Sequence, residues 1–171
     1  MPDIIKTTDA NLTLRFATKK DVPIILDFIK QLAEYEELSH EVTTNISTLE
    51  NSLFGERRVA EVIIGDYKNE PAAFALFFHN FSTFLGKQGL YVEDLYVKPD
   101  MRGKGIGRIM LTFLAHLAVE RGCERLEWWV LDWNERAISF YKKLGAQPMD
   151  NWTVFRISGQ TLSGLAKEYT E

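Results

Sequence analysis

Residues 96–111, YVKPDMRGKGIGRIML, decide the fold, because a predicted strand, a glycine-rich loop and a helix follow one another within them. Gly103, Gly105 and Gly107 stand where the helix is about to begin, although glycine destabilises a helix by about 1 kcal/mol relative to alanine. A helix N-terminus offers unpaired N–H groups and the positive end of the helix dipole, and glycines let an anion approach them closely. The stretch therefore predicts a cradle for a phosphate or pyrophosphate group.

Arg102 and Lys104 add positive charge to this loop, which can be compared with three glycine patterns. The P-loop spacing GxxxxGK[ST] does not occur here. The dinucleotide-binding spacing GxGxxG would need its third glycine one residue after Gly107, and it belongs to a first βα unit, whereas this loop lies past the middle of the chain. The pattern Arg-x-x-Gly-x-Gly is matched by Arg102, Gly105 and Gly107. On the loop alone, a tight turn that only precedes a core helix remains an alternative.

The composition fits one compact domain of 171 residues, of which 46% are hydrophobic. The net charge of −4 gives no sign of a basic face for nucleic acid. No apolar run approaches the roughly 20 residues that a membrane span needs, and the N-terminus has no signal-peptide core. The single cysteine, Cys123, fits a reducing compartment. We therefore expect a cytoplasmic protein without nucleic-acid or membrane partners.

Apolar periodicity along the chain predicts an α/β fold in the order β-α-α-β-β-β-α-β-α-β, a mixed sheet with helices on both faces.

Residues 1–11 are expected to form a flexible tail and residues 12–171 a single domain. Thr18 and Asp21 predict the cap of the first helix, and a short helix is expected from about Thr161. The predicted strands are residues 12–17, 58–64, 72–79, 90–97, 126–131 and 153–157. The predicted helices are residues 18–37, 44–53, 106–121 and 135–144.

The loop pattern, placed between a strand and an amphipathic helix, resembles the acetyl-CoA signature of the GNAT superfamily of N-acetyltransferases. VLDWNERAISFYKKLGA resembles that superfamily's late motif, and LRFATKKDVPIILDFIKQLAEYEE resembles its first strand and helix. Within the superfamily, LAEYEE, GLYVEDLYV and NERAISFYKKLGA most resemble the diamine (spermidine/spermine) branch, which includes relatives that acetylate thialysine and similar side-chain amines. The resemblance covers residues 12–157 and implies a GNAT-like fold with a splayed central sheet.

Two adjacent carboxylates, Glu93 and Asp94, lie in the middle of a predicted strand, where acidic residues are disfavoured. A lysine-like amine has a pKa of about 10.4, so less than about one molecule in a thousand is neutral near pH 7, and a carboxylate can accept its proton directly or through water. A solvated edge strand is the alternative explanation. The resemblance implies that this strand carries a bulge, that Glu93 is the base or binds the water, and that Asp94 holds a cationic substrate.

Tyr141 is the candidate general acid, because a phenol with a pKa of about 10 can protonate a thiolate whose own pKa is about 8.5. A packed aromatic beside Phe140 is the alternative, and the family motif SFYKKLGA favours the acid. The resemblance implies direct transfer in a ternary complex. Cys123, in a turn distant in sequence from the loop and from Glu93, is not expected to carry the acetyl group.

The resemblance makes acetyl-CoA the co-substrate. It implies that backbone N–H groups around Leu95 and Val97 meet the acetyl carbonyl and the pantetheine amides, and a donor aimed at the thioester oxygen stabilises the developing negative charge. The expected cofactor-binding residues are Leu95, Tyr96, Val97, Arg102, Gly103, Lys104, Gly105, Ile106, Gly107, Arg108, Asn134 and Arg136.

The acceptor side is expected to be acidic and aromatic, which suits an alkyl ammonium through ion pairing and cation–π contact. Tyr35 and Glu36 match the branch's YE pair, with a solvated helix end as the alternative. The chain departs from the strict polyamine enzymes at FSTFLGKQG, where Ser82, Thr83 and Phe84 replace an acid and a tryptophan. This difference favours a compact diamine or an amino acid with a side-chain amine. The expected substrate-binding residues are Tyr35, Glu36, Glu93, Asp94, Trp133, Asp150 and Trp152.

The sequence thus favours an acetyl-CoA-dependent N-acetyltransferase that acts on a primary amine of a small cation. A protein lysine or N-terminal acetyltransferase is one alternative. A second is an acetyl-CoA sensor without catalysis, which is disfavoured because Glu93 and Tyr141 are both present. The three histidines have no metal-ligand spacing, so no metal is expected. The branch is commonly dimeric, and the apolar residues 152–157 suggest a homodimer formed by strand pairing.

Overall fold

The computed structural model describes residues 3–169. The chain divides between Leu131 and Asp132 into two compact units. The first unit holds a six-stranded sheet and three α-helices, and the second holds two further helices. The strands are β1 Ile4–Lys6, β2 Leu12–Phe16, β3 Glu61–Tyr67, β4 Glu70–Ser82, β5 Lys87–Val97 and β6 Leu126–Trp128. The helices are α1 Val22–Tyr35, α2 Ile46–Phe54, α3 Ile106–Glu120, α4 Glu135–Lys143 and α5 Gly159–Ala166.

The six strands follow their sequence order across the sheet. Neighbouring strands are antiparallel except for β5 and β6, which are parallel because α3 crosses between them. The prediction of a mixed α/β sheet is therefore confirmed. The prediction of a flexible N-terminal tail is wrong over Ile4–Lys6, because these residues form β1. They pair antiparallel with Thr13 to Arg15 of β2. This strand has little sequence signal because its residues are largely exposed and depend on hydrogen bonds to β2.

The two faces of the sheet carry separate cores, as predicted from the periodicity. Successive side chains of a strand point to opposite faces, and on β3 Ile63 packs in the core beneath α3, whereas Val62 and Ile64 pack in the core beneath α1 and α2. The helix α3 contributes Ile106, Met110, Leu114, Leu117 and Ala118 to the first core. The helices α1 and α2 contribute Val22, Ile25, Phe28, Leu49 and Leu53 to the second.

The second unit differs from the sequence prediction in one element. Residues 153–157 are not a strand in the described chain, and Val154, Phe155 and Ile157 are exposed. Their β-branched and aromatic residues predict a strand, but a strand needs a neighbouring edge for its backbone hydrogen bonds. The prediction is wrong for the described chain because this segment pairs with no strand within residues 3–169. The short terminal helix is found as α5, beginning two residues before Thr161.

A charged network fixes the start of α1 to the sheet. The guanidinium of Arg15 on β2 donates to both carboxylate oxygens of Asp21 at 2.9 and 3.0 Å, and its Nε donates to Asp66 on β3 at 2.8 Å. Asp21 also accepts the backbone N–H of Thr18 at 2.7 Å, which confirms the predicted pairing of these two residues. Burial alone would raise the pKa of Asp21, but hydrogen bonds from Arg15 and Thr18 hold that pKa below its usual value.

We expect Asp21→Asn to lower the free energy of unfolding by about 2 kcal/mol at pH 7, because it leaves a largely buried Arg15 with one partner fewer. Since the folded-state pKa of Asp21 lies below its unfolded value, the carboxylate stabilises the fold above the unfolded pKa. That stabilisation is lost as the pH falls through the folded pKa. Denaturant melts of both proteins at pH 7 and pH 3 measure this difference.

The matched control is Glu50→Gln, which breaks the exposed ion pair with Lys19 and should change the free energy by less than about 0.5 kcal/mol. Equal losses in the two variants would contradict a special role for the Arg15 network.

Candidate active site

A β-bulge at Glu93 is the central feature of the first unit. On β4, Leu76 is paired with Asp94, and the next residue, Phe77, is paired with Val92. Glu93 is therefore the extra residue of β5 that no β4 residue faces. This bulge is the one that the family resemblance implies, and it lies at the acidic pair of the sequence.

The bulge reverses which backbone N–H groups of β5 point away from β4. Before it, the N–H of Leu90 donates to the carbonyl of Arg125 on the β6 side. After it, the N–H of Lys98 donates to the carbonyl of Ala72 on the β4 side. Because hydrogen-bonding directions alternate along an antiparallel strand, the N–H groups of Leu95 and Val97 point away from β4.

The edge that receives those two N–H groups is open within the first unit. The pairing of β5 with β6 covers only Leu90, Tyr91 and Val92. Beyond Val92 the two strands no longer pair because β6 ends at Trp128, and the splay that the resemblance implies stays a prediction. The backbone amides of Leu95 and Val97 are thus placed to bind an extended ligand that carries its own amides.

The glycine loop follows directly from β5 through a short 3-10 turn at Pro99–Met101. Gly103 and Gly105 both have φ of +80°, a conformation that favours glycine, and an added Cβ at either would meet nothing within 4 Å. Gly105 is the N-cap of α3, so the first N–H groups of that helix face the open side of the loop. The geometry fits the predicted phosphate cradle. Gly107 lies inside α3, where an added Cβ would contact Val97 at an ordinary 3.6 Å.

The two basic side chains of the loop contact aromatic rings. The Lys104 Nζ lies 5.1 Å from the centroid of the Tyr67 ring. The Arg102 guanidinium carbon lies 4.4 Å from the centroid of Tyr35 and 5.5 Å from that of Tyr96. The Nε of Arg102 also donates to the carbonyl of Val97 at 3.0 Å. The side chain of Arg102 is therefore directed toward the end of α1.

Three acidic groups lie close enough to interact electrostatically. Asp94 is partly buried, and burial together with the charges of Glu93 and Glu36 raises its pKa to about 7. Burial also raises the pKa of Glu36, which follows the last residue of α1. Glu93 is exposed at the bulge. The structure thus brings three of the predicted acceptor residues together at one end of the first unit, and like charges at this spacing attract a cation.

Sequence reasoning did not single out Gln31. The hydroxyl of Tyr96 donates to its side-chain oxygen at 3.3 Å, which joins α1 to β5. Gln31 lies one helical turn before Tyr35 on the same face of α1. That spacing is the only sequence signal that could have indicated it.

The second unit holds the remaining predicted residues. Asn134 caps α4, where its side chain accepts the N–H of Ala137 at 3.2 Å. Tyr141 lies in the last turn of α4 with its ring 5.4 Å from that of Phe140. Arg136, Trp133, Asp150 and Trp152 are exposed.

Three further observations concern a metal site, a covalent acetyl carrier and a membrane span. Among residues 3–169, no three His, Cys, Asp or Glu side chains are grouped to hold a metal ion. Burial raises the pKa of the Cys123 thiol, although Arg121 opposes this shift. A raised pKa disfavours the thiolate form that a covalent acetyl carrier would need. In the same described range, every helix is too short or too polar to span a bilayer.

An open-edged strand beside a glycine loop at a helix N-terminus is an arrangement suited to binding an extended ligand that carries a phosphate group. The chain belongs to the acetyltransferase (GNAT) family, whose model matches residues 27–146. It is therefore a transferase enzyme of the N-acetyltransferase class.

Named relatives agree with this class. The chain is 36% identical to the thialysine N-epsilon-acetyltransferase of Bos taurus over 168 residues, which covers 92% of this chain and 98% of the relative. It is 32% identical to an L-ornithine N5-acetyltransferase of Arabidopsis thaliana, with 90% and 87% covered. Among solved structures, an integron cassette protein from the mobile metagenome of V. cholerae has a TM-score of 0.78 at 26% identity, with 92% of this chain and 98% of that chain covered.

We expect Asp94→Asn to stabilise the free protein by roughly 2 kcal/mol at pH 8, since one pKa unit corresponds to about 1.4 kcal/mol and the carboxylate is partly buried. The folded-state pKa of about 7 lies above the unfolded value. The contribution of Asp94 to stability therefore falls as the pH rises between these two values. The gain from asparagine should be small at pH 4 and largest above pH 7, as measured by denaturant melts at both pH values.

Glu56→Gln is the control, because Glu56 is exposed and is not one of the charges that raise the pKa of Asp94, and it should change stability by less than about 0.5 kcal/mol. If Asp94→Asn instead lowers stability at pH 8, the ionised carboxylate has stabilising partners in the folded protein, and the prediction is contradicted.

Proposed function

We propose that the protein transfers the acetyl group of acetyl-CoA to a primary amine of a small cationic substrate, by direct transfer in a ternary complex. The observation that carries this proposal is the bulge at Glu93. It exposes two backbone amides beside the glycine loop and sets Asp94 beside Glu36 at the same end of the sheet. A donor site and an acidic acceptor site thus meet at one strand.

The proposed carrier site fits acetyl-CoA through its backbone. The loop at Gly103 and Gly105 and the N-terminus of α3 would hold the pyrophosphate. The N–H groups of Leu95 and Val97 would hold the pantetheine amides and the acetyl carbonyl. Lys104, Arg108, Asn134 and Arg136 are proposed to add contacts, with Ile106 placing the first turn of the helix. When bound, the carrier supplies an activated acetyl thioester.

Proton transfer is assigned to this chain's own side chains. Glu93 is proposed to take the ammonium proton directly or through a water, and Tyr141 to return a proton to the leaving thiolate. Asp94, with a pKa of about 7, is ionised in about half of the molecules at neutral pH and pairs best with a substrate cation when ionised. The amine should therefore bind more tightly as the pH rises through 7.

The proposed substrate class is a compact diamine or an amino acid with a side-chain amine. Glu36 and Asp94 supply negative charge and Tyr35 an aromatic ring, whereas Ser82, Thr83 and Phe84 provide no second acidic anchor. Trp133, Asp150 and Trp152 are proposed to line the same acceptor site. The thialysine and ornithine acetyltransferases named above support this class, because their named substrates carry an amino-acid head and a side-chain amine.

The experiment measures thiol release from acetyl-CoA with putrescine, spermidine, spermine, thialysine, ornithine, lysine and a lysine peptide. We expect turnover on thialysine or another small amine. Tyr141→Phe and Glu93→Gln should each lower kcat about 100-fold or more, since each removes a proton-transfer group. Calorimetric titration with acetyl-CoA should show that both variants still bind the carrier.

Binding of acetyl-CoA without turnover on any amine would favour the sensor alternative. Turnover on the peptide alone would favour a protein acetyltransferase. Unchanged kcat in either variant would remove that residue from the mechanism.

We also propose that the protein is a homodimer. Residues 153–157 have strand-forming side chains but pair with no strand of the described chain, and Phe155 is 91% exposed. A second copy could supply the missing strand edge and cover these side chains. The proposal agrees with the dimer that is common in the diamine N-acetyltransferase branch that the sequence resembles.

Light scattering on a size-exclusion column should give twice the chain mass of 19.7 kDa. Phe155→Lys should shift the protein to the monomer mass, because a buried lysine would be left unpaired at the interface. The control is Val119→Lys on α3, which is also exposed in the single chain and should leave the mass unchanged. A monomeric wild-type protein would contradict the proposal.

A further inference from the structure

Arg102 belongs to the glycine loop, but its side chain contacts a different part of the molecule. Its guanidinium lies against the rings of Tyr35 and Tyr96, and its Nε donates to the Val97 carbonyl. The planar guanidinium can stack on an aromatic ring while its N–H groups, which lie in its own plane, donate hydrogen bonds. The loop is thereby tied to both α1 and β5 through one residue.

Both rings belong to elements that carry the acidic acceptor groups. Tyr35 is the last residue of α1, and Glu36 follows it. Tyr96 lies two residues after Asp94, on the same face of β5, and its hydroxyl donates to Gln31 of α1. Arg102 therefore joins the end of the helix that presents Glu36 to the part of the strand that presents Asp94.

Backbone hydrogen bonds close the end of α1, from the N–H of Glu36 to Leu32 and from that of Leu38 to Ala33, but they do not fix the ring of Tyr35. Glu37 takes a left-handed backbone with φ of 61°, which terminates the helix directly after Glu36. Side-chain rotamers are not set by backbone hydrogen bonds, and Tyr35 is 37% exposed. The cation–π contact at 4.4 Å is the shortest contact described between the Tyr35 ring and the glycine loop.

We propose that Arg102 is a positioning residue for the amine acceptor. Through Tyr35 and Tyr96 it holds Glu36 in place relative to Asp94, and so it sets the affinity for the amine in addition to its place in the carrier loop. This inference rests on the proposed amine acetylation. It adds a specificity role on the acceptor side to a residue of the carrier-binding motif.

The test separates the two substrates by measuring the amine KM at saturating acetyl-CoA. Arg102→Met should raise the amine KM about fivefold or more, with a smaller change in kcat, because the lost cation–π contact no longer holds Tyr35 and the neighbouring Glu36 in place. Tyr35→Leu should raise the amine KM at least to that extent, because it removes both the ring that Arg102 holds and the ring proposed to contact the substrate. Tyr35→Phe, which keeps the ring, should restore a KM within about twofold of the wild type.

A double-mutant cycle tests whether the two residues act as a pair. Arg102→Met combined with Tyr35→Leu should have the same amine KM as Tyr35→Leu alone, because Arg102 has no effect through Tyr35 once that ring is absent. Arg57→Met, which changes an exposed arginine outside the proposed site, is the control for the loss of one positive charge and should leave the amine KM unchanged.

Two results would overturn the inference while leaving the proposed function intact. One is an active wild-type enzyme whose Arg102→Met variant raises only the KM for acetyl-CoA. The other is a pair of single effects on the amine KM that multiply in the double variant. A wild-type protein that acetylates no amine would instead overturn the proposed function, and the inference with it.

Discussion

The extra residue at Glu93 is the constraint on which the rest of the site depends. Before it, Leu90 and Val92 pack in the core beneath α3. After it, Leu95 and Val97 contact that same core, and Tyr96 packs on the opposite face beneath α1 and α2. A regular strand would direct Asp94 toward α3 together with Val92. The bulge instead places Asp94 on the face of α1, where Glu36 lies.

The same residue determines the backbone of the proposed carrier site. Because the bulge shifts the hydrogen-bonding direction by one residue, the amides of Leu95 and Val97 face the edge where β6 no longer pairs. The strand then leads within a few residues to the glycine loop and the N-terminus of α3. Side-chain identity matters little for these contacts, since they use N–H groups. The acceptor groups and the carrier groups are therefore positioned by one local irregularity.

The acidic cluster of Glu36, Glu93 and Asp94 destabilises the folded protein, so other interactions must stabilise it. Asp94 is partly buried beside two other carboxylates, and its pKa of about 7 records the unfavourable energy of its charged form. The Arg15 network and the two apolar cores supply stability at a distance from the cluster. The ammonium group of the proposed substrate would relieve the repulsion between these carboxylates. That relief would favour binding of the amine.

The sequence by itself determined most of the fold and the identity of the candidate groups. Apolar periodicity indicated α3 and the two-sided sheet, the Thr18 and Asp21 pair marked the start of α1, and the spacing of Arg102, Gly105 and Gly107 indicated an anion site. Only the tertiary structure decided where these groups face. The pairing of Ile4–Lys6, and the lack of a strand partner for residues 153–157 within the described part of the chain, depend on neighbouring strand edges, which local sequence does not encode. The direction of Arg102 toward Tyr35 likewise depends on two elements far apart in the chain, because side-chain contacts are set by packing and not by spacing along a loop.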